Sequence, residues 1–277
     1  MGILTRLRQR LSAWAIRLIQ RVGPRRVRVL GRTFRINRHV FSPRPYLTSK
    51  FMARHLRFEP ADSVLDMGTG SGIQAIVAAA TAARVVAIDI NPEAVRLARE
   101  NALANGVADK VTVLEGDLFE PLRSCGQGDC GRGLCPPRRG GGEDAGHGGP
   151  AHSTEAPPCP PEGEPVAQAS SLCACEAFDA ILLNPPYLEG RVRSLLDHAM
   201  FDPGRALHRR FFAEAKAFLA PGGCVLMVCS SLAEPGQALA IADEQGWDAS
   251  LERQKRTWGE TLFLYRLTPR AAPSAGQ

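Results

Sequence analysis

Val64-Leu-Asp-Met-Gly-Thr-Gly-Ser-Gly72 constrains the fold more than any other stretch of the chain. A short apolar run passes into three glycines at alternate positions, and Ile73 to Ala83 then reads as an Ala-rich helix. Glycines placed this way allow a tight turn and let a ligand approach the backbone closely. Strand, glycine turn and helix in that order form the opening unit of a doubly wound α/β sheet, and the following sequence continues it. Arg84–Asp89 is a second strand, Pro92 opens a helix that Gly106 stops, Val111–Leu114 is a third strand and Phe178–Leu183 a fourth. Pro92 suits the first helical position because its missing N–H would be unpaired there anyway. Gly106 suits the position just beyond a helix end. A helix from about Arg205 to Leu219, a strand Cys224–Cys229, a helix near Glu234–Gln245 and strands around Trp247–Lys255 and Thr261–Leu267 complete the series. Strands with few polar interruptions, separated by helices, predict an α/β fold with a mostly parallel sheet covered on both faces.

Charge divides the chain unevenly. A hydrophobic content of 44% supplies a substantial core and excludes wholesale disorder. The formal charge of +6 conceals a first segment, residues 1–58, with 15 Lys/Arg and no acid before Glu59. The remaining chain holds 19 basic and 28 acidic residues. This asymmetry points the N-terminal part toward nucleic acid, the ribosome or membrane headgroups. Leu4, Leu7, Leu11, Trp14 and Leu18 form a helical stripe, with Arg6, Arg8, Arg10, Arg17 and Arg21 on the other faces. Three readings stand: an RNA-contacting helix, a membrane-surface helix, or a terminal helix that packs its leucines on the domain. Arginines interrupt every apolar run, which argues against a signal peptide, and the segment is too charged and short for a transmembrane span. An organelle transit peptide fits the Arg-rich, acid-free composition less well than a cytoplasmic location, because there is one serine. The expected division is a basic helix and linker over 1–31, a main domain over 32–267 and a disordered tail over 268–277. Only the first thirty or so residues then remain as a candidate contact for a large partner.

Residues 124–176 break the strand–helix rhythm with 11 Gly, 8 Pro and six cysteines, Cys125, Cys130, Cys135, Cys159, Cys173 and Cys175. A patternless connection of that length is uncommon inside a domain, and it reads as a disordered insertion between the third and fourth strands. The spacings lack the paired C-x2-C of common zinc sites, so no metal is expected, and no secretory signal favours disulfides. Cys224 and Cys229 sit in an apolar run and read as small core residues.

The glycine spacing selects a ligand class. A dinucleotide-binding turn wants G-x-G-x-x-G, whose third glycine would fall at Ile73, whereas this turn is G-x-G-x-G. Asp66, two residues before Gly68, suits a cationic, amino-acid-like ligand better than a pyrophosphate. The segment resembles motif I of the class I S-adenosylmethionine-dependent methyltransferases. Asp89 ends the second strand, the usual place for an acid that accepts ribose hydroxyls. The resemblance implies S-adenosyl-L-methionine as cofactor, held by Asp66, Gly68, Thr69, Gly70, Gly72, Asp89, Asn91 and Asn184, with Asp117 and Leu118 beside the adenine. It also implies a seven-stranded, mostly parallel sheet whose last strand runs antiparallel.

Asn184-Pro185-Pro186-Tyr187 closes the fourth strand at the carboxyl edge of the sheet, where open α/β folds bind ligands. Two prolines stop the strand and fix the backbone around Asn184. A primary amide or exocyclic amine offers two N–H donors, and the Asn184 side-chain oxygen and Pro185 carbonyl are two acceptors for them. Tyr187 offers a ring on which a planar substrate can stack. This signature resembles the amino-group methyltransferases acting on DNA adenine, RNA bases or protein glutamine. Val40-Phe-Ser-Pro-Arg-Pro45 with Thr48, Gly116-Asp-Leu-Phe119, Phe178-Asp179 and Glu260-Thr-Leu-Phe263 resemble the release-factor glutamine methyltransferases of the HemK/PrmC family. Ser49 stands where that family has an acid, and one residue is added after Pro45. The resemblance implies N-methylation of a glutamine in a translation release factor. An RNA or DNA base amino group is the alternative, and a non-catalytic cofactor-binding module a third reading. His198 reads as a solvated surface histidine rather than a base. Arg191 and Arg193 read equally as a phosphate grip or a solvated loop.

Overall fold

Every strand read from an apolar run is a member of one seven-stranded sheet. The computed structural model describes residues 25–41, 47–123, 177–186, 188–257 and 259–271. The amphipathic N-terminal stripe, Pro43-Arg44-Pro45, the insertion at 124–176, Tyr187 and the last six residues lie outside the described residues. The sheet contains β3 (Ser63–Met67), β4 (Arg84–Asp89), β5 (Val111–Glu115), β6 (Phe178–Leu183), β7 (Leu219–Ser230), β8 (Trp247–Arg256) and β9 (Thr261–Pro269). Its order is β5-β4-β3-β6-β7-β9-β8. Neighbours from β5 to β7 run parallel, and β9 is antiparallel to both β7 and β8.

Side-chain alternation along each strand fills two core layers. Val64, Val85, Ala87, Ala180, Leu182, Leu226 and Val228 face one side, under α1 (Leu47–His55), α2 (Ile73–Ala78) and α3 (Pro92–Ala104). Leu65, Val86, Ile88, Ile181, Val225 and Met227 face the other, packed with Phe119, Phe211, Phe212 and Trp247. Phe211 and Phe212 come from α6 (Ala206–Ala215), which follows the one-turn helices α4 (Glu120–Arg123) and α5 (Leu195–His198). The last helix, α7 (Pro235–Glu244), precedes β8. Cys224 and Cys229 are buried free thiols, as their apolar setting predicts.

Several boundaries differ from the sequence reading. The division at residue 31 falls inside a hairpin, because β1 (Arg26–Val29) and β2 (Arg32–Arg35) pair antiparallel around Leu30 and Gly31. Both turn residues have positive φ, 50° and 81°, as a two-residue hairpin turn of the primed type requires. The main domain therefore begins by Arg26. The α1 helix, which no periodicity had marked, buries Thr48, Ser49, Phe51 and Met52. The helix expected to reach Ala83 ends at Ala78, where the N–H groups of Ala80 and Thr81 turn to carbonyls three residues back. The fold extends past residue 267, beyond which a tail was expected. Thr268 and Pro269 belong to β9, and Arg270 forms ion pairs with Asp243 and Asp248.

Asn101 ties the hairpin to the glycine turn. Fully buried on α3, its side chain accepts from Arg35 N at 2.7 Å and donates to Arg35 O at 3.1 Å and Ser71 O at 2.9 Å. Among the described residues no helix is long and apolar enough to cross a membrane.

Candidate functional site

The strand order reverses between β3 and β6, so their following chains leave in different directions and open a crevice beyond the carboxyl ends. Met67 pairs with Leu183 in the β3–β6 ladder. The glycine turn and Asn184, 116 residues apart, therefore start side by side. A cavity of about 330 Å³ occupies this crevice, within the range of small-molecule sites. Its floor is the Gly68–Ser71 turn and Leu183–Pro186. Asp89–Asn91 and Gly116–Leu118 form one side, while Val40, Phe41 and Ser49 close a second and residues between Val192 and Arg210 cover a third.

Turn geometry explains the glycines. Gly68, Gly70 and Gly72 have φ of 72°, 56° and 82°, a region that side-chain-bearing residues rarely adopt. A Cβ on Gly68 would meet nothing within 4 Å, so open space lies against the backbone there. Gly72, expected at the cofactor, lies outside the cavity lining; a Cβ there would stand 3.3 Å from Ala98 of α3, so this glycine serves close helix packing. The turn is braced by Gly68 N and Thr69 N donating to Ile88 O at 2.8 and 3.0 Å.

Asp66 takes a different place from the one expected of a ligand contact. Alternation puts it on the face of Val64, beneath the first turn of α2, and it is not among the residues lining the cavity. Its Oδ2 accepts from Thr69 Oγ1 at 2.6 Å and Ala75 N at 3.1 Å. Burial raises its pKa to about 7 against the lowering effect of those two bonds. Asp66 thus holds the turn to the helix. Asn91 also lines the cavity, but its side chain is committed elsewhere: Oδ1 caps α3 by accepting from Glu93 N at 3.0 Å, and Nδ2 donates to His39 O at 2.9 Å.

Asp89 is better placed to meet a ligand. Its carboxylate accepts from Gly70 N at 2.8 Å and Asn91 N at 2.9 Å and still faces the cavity. Burial raises its pKa, while those N–H groups and nearby His198 pull the other way. Asp117 faces the same space and forms a 2.9 Å ion pair with Arg210. Leu118 follows it in the left-handed region, with φ of 51°, and presents an apolar wall.

Asn184 is half-buried and donates from Nδ2 to Ser49 Oγ at 3.0 Å. Its Oδ1 has no partner among the described residues. Pro185 and Pro186 are buried beside it and line the cavity. Behind Pro185, Asp202 Oδ2 receives a 2.5 Å bond from the His208 ring, and buried Arg205 donates to Ala233 O at 2.7 Å.

The cavity gathers further residues that the sequence did not single out. Ser49 was noted only for departing from a family pattern. Gln74, in the first turn of α2, lines the cavity at 4% exposure, and its Nε2 has no hydrogen-bond partner among the described residues. A buried donor left unpaired beside a cavity marks a place for a ligand acceptor. Neither residue type is informative without its surroundings. His198 is exposed, in keeping with a solvated histidine, and also lines the cavity near enough to Asp89 to act on its charge. Arg191 and Arg193 are exposed and lie outside the cavity lining. No cluster of three metal-ligating side chains exists among the described residues.

This arrangement suits a nucleoside-bearing ligand with a charged tail: paired carboxylate oxygens for a ribose, apolar walls for a flat base and an unpaired amide donor near a helix start. Known proteins resemble parts of the chain. Residues 52–125 match the family described as ribosomal protein L11 methyltransferase (PrmA). A ribosomal protein L11 methyltransferase of Pelotomaculum thermopropionicum is 48% identical over 77 residues, 27% of this chain and 24% of that protein. The chain thus spans about a quarter of the length of such relatives. A putative protein N5-glutamine methyltransferase of Methanocaldococcus jannaschii is 27% identical over 209 residues, covering 73% of this chain and 78% of that one. A release factor glutamine methyltransferase of Cereibacter sphaeroides is 38% identical over 91 residues, 32% of each. Among solved structures, Methanocaldococcus jannaschii Trm5 in complex with adenosine superposes with a TM-score of 0.52 at 14% identity, covering 89% of this chain and 56% of that one. The Methanobacterium thermoautotrophicum precorrin 8w decarboxylase gives 0.50 at 17%, covering 84% and 95%. At such identities the structures speak for the fold. With its reversed strand order and these structural neighbours, the chain has the fold of the class I methyltransferases, and residues 52–125, which hold the G-x-G-x-G turn, are PrmA-like.

Proposed function

We propose that the protein transfers a methyl group from S-adenosylmethionine to a planar nitrogen, with a protein glutamine side chain as the leading substrate. The observation that carries this reading is the fixed amide of Asn184. With Nδ2 bound to Ser49, the side-chain oxygen is the free end, next to the Pro185 carbonyl at the cavity floor. Two acceptors at one edge match the two N–H groups of a primary amide. Holding both hydrogens fixes the nitrogen's orientation and favours its out-of-plane geometry, which the transition state needs and the planar ground state lacks.

The cavity residues fit the cofactor. Asp89 would accept the ribose hydroxyls, Leu118 would cover the adenine with Asp117 at its edge, and Gln74 would donate to the carboxylate of the methionine portion. Gly68 and Gly70 leave the backbone open to close approach, while Asp66 and Asn91 keep the turn and α3 in place. The bound cofactor supplies an activated methyl on sulfur, so no metal or covalent nucleophile is required. The chain's own contribution is alignment and exclusion of water by the apolar cover from Val192 to Leu207. The glutamine assignment draws support from the two glutamine methyltransferases among the relatives.

The test is methyl transfer from tritiated cofactor into a cell lysate, followed by protease or nuclease. Label lost to protease and retained through nuclease supports a protein substrate. Label lost to nuclease instead would assign the site to a base amino group.

A further inference from the structure

The second half of the acid-free basic segment belongs to the folded domain, which takes in Arg26–Gly31 as well as the residues from Arg32 onward. On the β1–β2 hairpin, alternation sends Val27, Val29 and Phe34 inward and Arg26, Arg28 and Arg35 outward. Arg26 lies directly opposite Arg35 in the ladder. Like charges facing each other across a strand pair are destabilising, so the arrangement needs a reason outside the hairpin. Arg35 has Glu100 at 3.4 Å, but Arg26 and Arg28 meet no carboxylate among the described residues. Next along the chain, Lys50, Arg54 and Arg57 recur at steps of four and three on and just beyond α1. All three are exposed, and none meets a carboxylate among the described residues. Hairpin and helix bury their other faces in one core layer, Val27 and Phe34 with Phe51 and Met52. The segment that carries these cations also lends Val40, Phe41 and Ser49 to the cavity wall.

We propose that Arg26, Arg28 and Arg35, with Lys50, Arg54 and Arg57, form a docking surface for the phosphate backbone of RNA. Five of the six are arginines, whose planar forks match phosphate oxygens in a way that a generic solubilising charge does not require. A membrane surface would call for a band of apolar side chains among the cations. The hairpin and α1 each expose a single large apolar residue, Leu30 and Leu47. The α1 helix that carries Lys50 and Arg54 also gives Ser49 to the cavity wall, so an RNA held along it passes close to the site. This reading concerns where the protein docks and stands whether the methylated nitrogen belongs to a glutamine or a base.

The experiment is fluorescence anisotropy of the full chain with a fluorescein-labelled oligouridine between 50 and 200 mM salt. Affinity should fall linearly in log–log form. The triple variants R26Q/R28Q/R35Q and K50Q/R54Q/R57Q should each bind about tenfold more weakly, with a slope shallower by about 2 units for three lost phosphate contacts on a single strand. Unchanged thermal melting and cofactor binding would show that both variants are folded. Wild-type affinity in both variants, or no RNA binding by the full chain, overturns the proposal. So does tighter association with phosphatidylserine vesicles than with RNA, which would make this a lipid-facing surface.

Discussion

Ser49 Oγ accepts a 3.0 Å hydrogen bond from the side-chain amide of Asn184, joining residues 135 positions apart. Ser49 is held by α1, whose Phe51 and Met52 pack in the core, so the contact anchors a loop side chain to a buried helix. In this arrangement the amide oxygen is the end left without a partner among the described residues.

Ser49→Ala should therefore lower kcat tenfold to a hundredfold while leaving cofactor affinity unchanged, since a misaligned amide still leaves the cofactor cavity intact. Asn184→Ala should retain cofactor binding and lose most turnover. In a double-mutant cycle, Ser49→Ala should add little to Asn184→Ala, because the two act as one unit. Additive losses would mean that Ser49 contributes by some route other than the amide.

Gln74→Leu separates ligand binding from folding. Burying an unpaired amide donor costs about 1–3 kcal/mol, so replacing it with an apolar side chain should raise the melting temperature of the unliganded protein. The same change removes a donor for the cofactor and should weaken its binding about tenfold by isothermal titration. A variant that binds cofactor as tightly as the wild type would place Gln74 outside the ligand contacts.

Asp66 makes stability depend on pH in a defined direction. Its folded pKa of about 7 lies above the ordinary carboxyl value of 3.8, so the folded state holds the proton more tightly than the unfolded chain. The stability it contributes is fully present below about 3.8 and is lost as pH rises toward 7, at most about 1.4 kcal/mol per pH unit. Asp66→Asn keeps an oxygen acceptor without the charge. Its stability relative to wild type should rise between pH 4 and 7 in urea titrations. A pH-independent difference would show that the carboxyl ionises freely in the fold.

His208 and Asp202 are both nearly fully buried, and their 2.5 Å contact lies behind Pro185. Burial would raise the Asp202 carboxyl, but the His208 ring and the N–H groups of Leu207 and His208 hold it below its ordinary value. Removing one member of such a pair strands the other, so His208→Ala should cost about 3–5 kcal/mol in urea unfolding. A loss below about 1 kcal/mol would mean that Asp202 finds another partner.

Much of the fold was legible because parallel strands in a covered sheet are continuous apolar runs. Ser63–Met67, Arg84–Asp89 and Phe178–Leu183 could be read with little error. The hairpin's first strand was equally written in alternation, Arg26-Val27-Arg28-Val29 before Gly31, but its arginines drew attention to charge rather than period. The α1 helix carried no comparable stripe, since Thr48 and Ser49 are among the residues that it buries.

The site divides along the same line. Sequence alone determined the local chemistry: a G-x-G-x-G turn, an acid ending the second strand, and an Asn-Pro-Pro at the end of the fourth. These are short-range patterns imposed by backbone conformation and strand ends. Tertiary structure decided which of those residues face the ligand space. It turned Asp66 under α2, spent the Asn91 side chain on a helix cap, and brought Ser49, Gln74 and Arg210 to the cavity from separate elements. It also drew Arg26–Gly31, read as linker, into a folded hairpin. Such placements depend on strand order and on which face a residue shares with its neighbours, and both are fixed by packing between segments far apart in the chain.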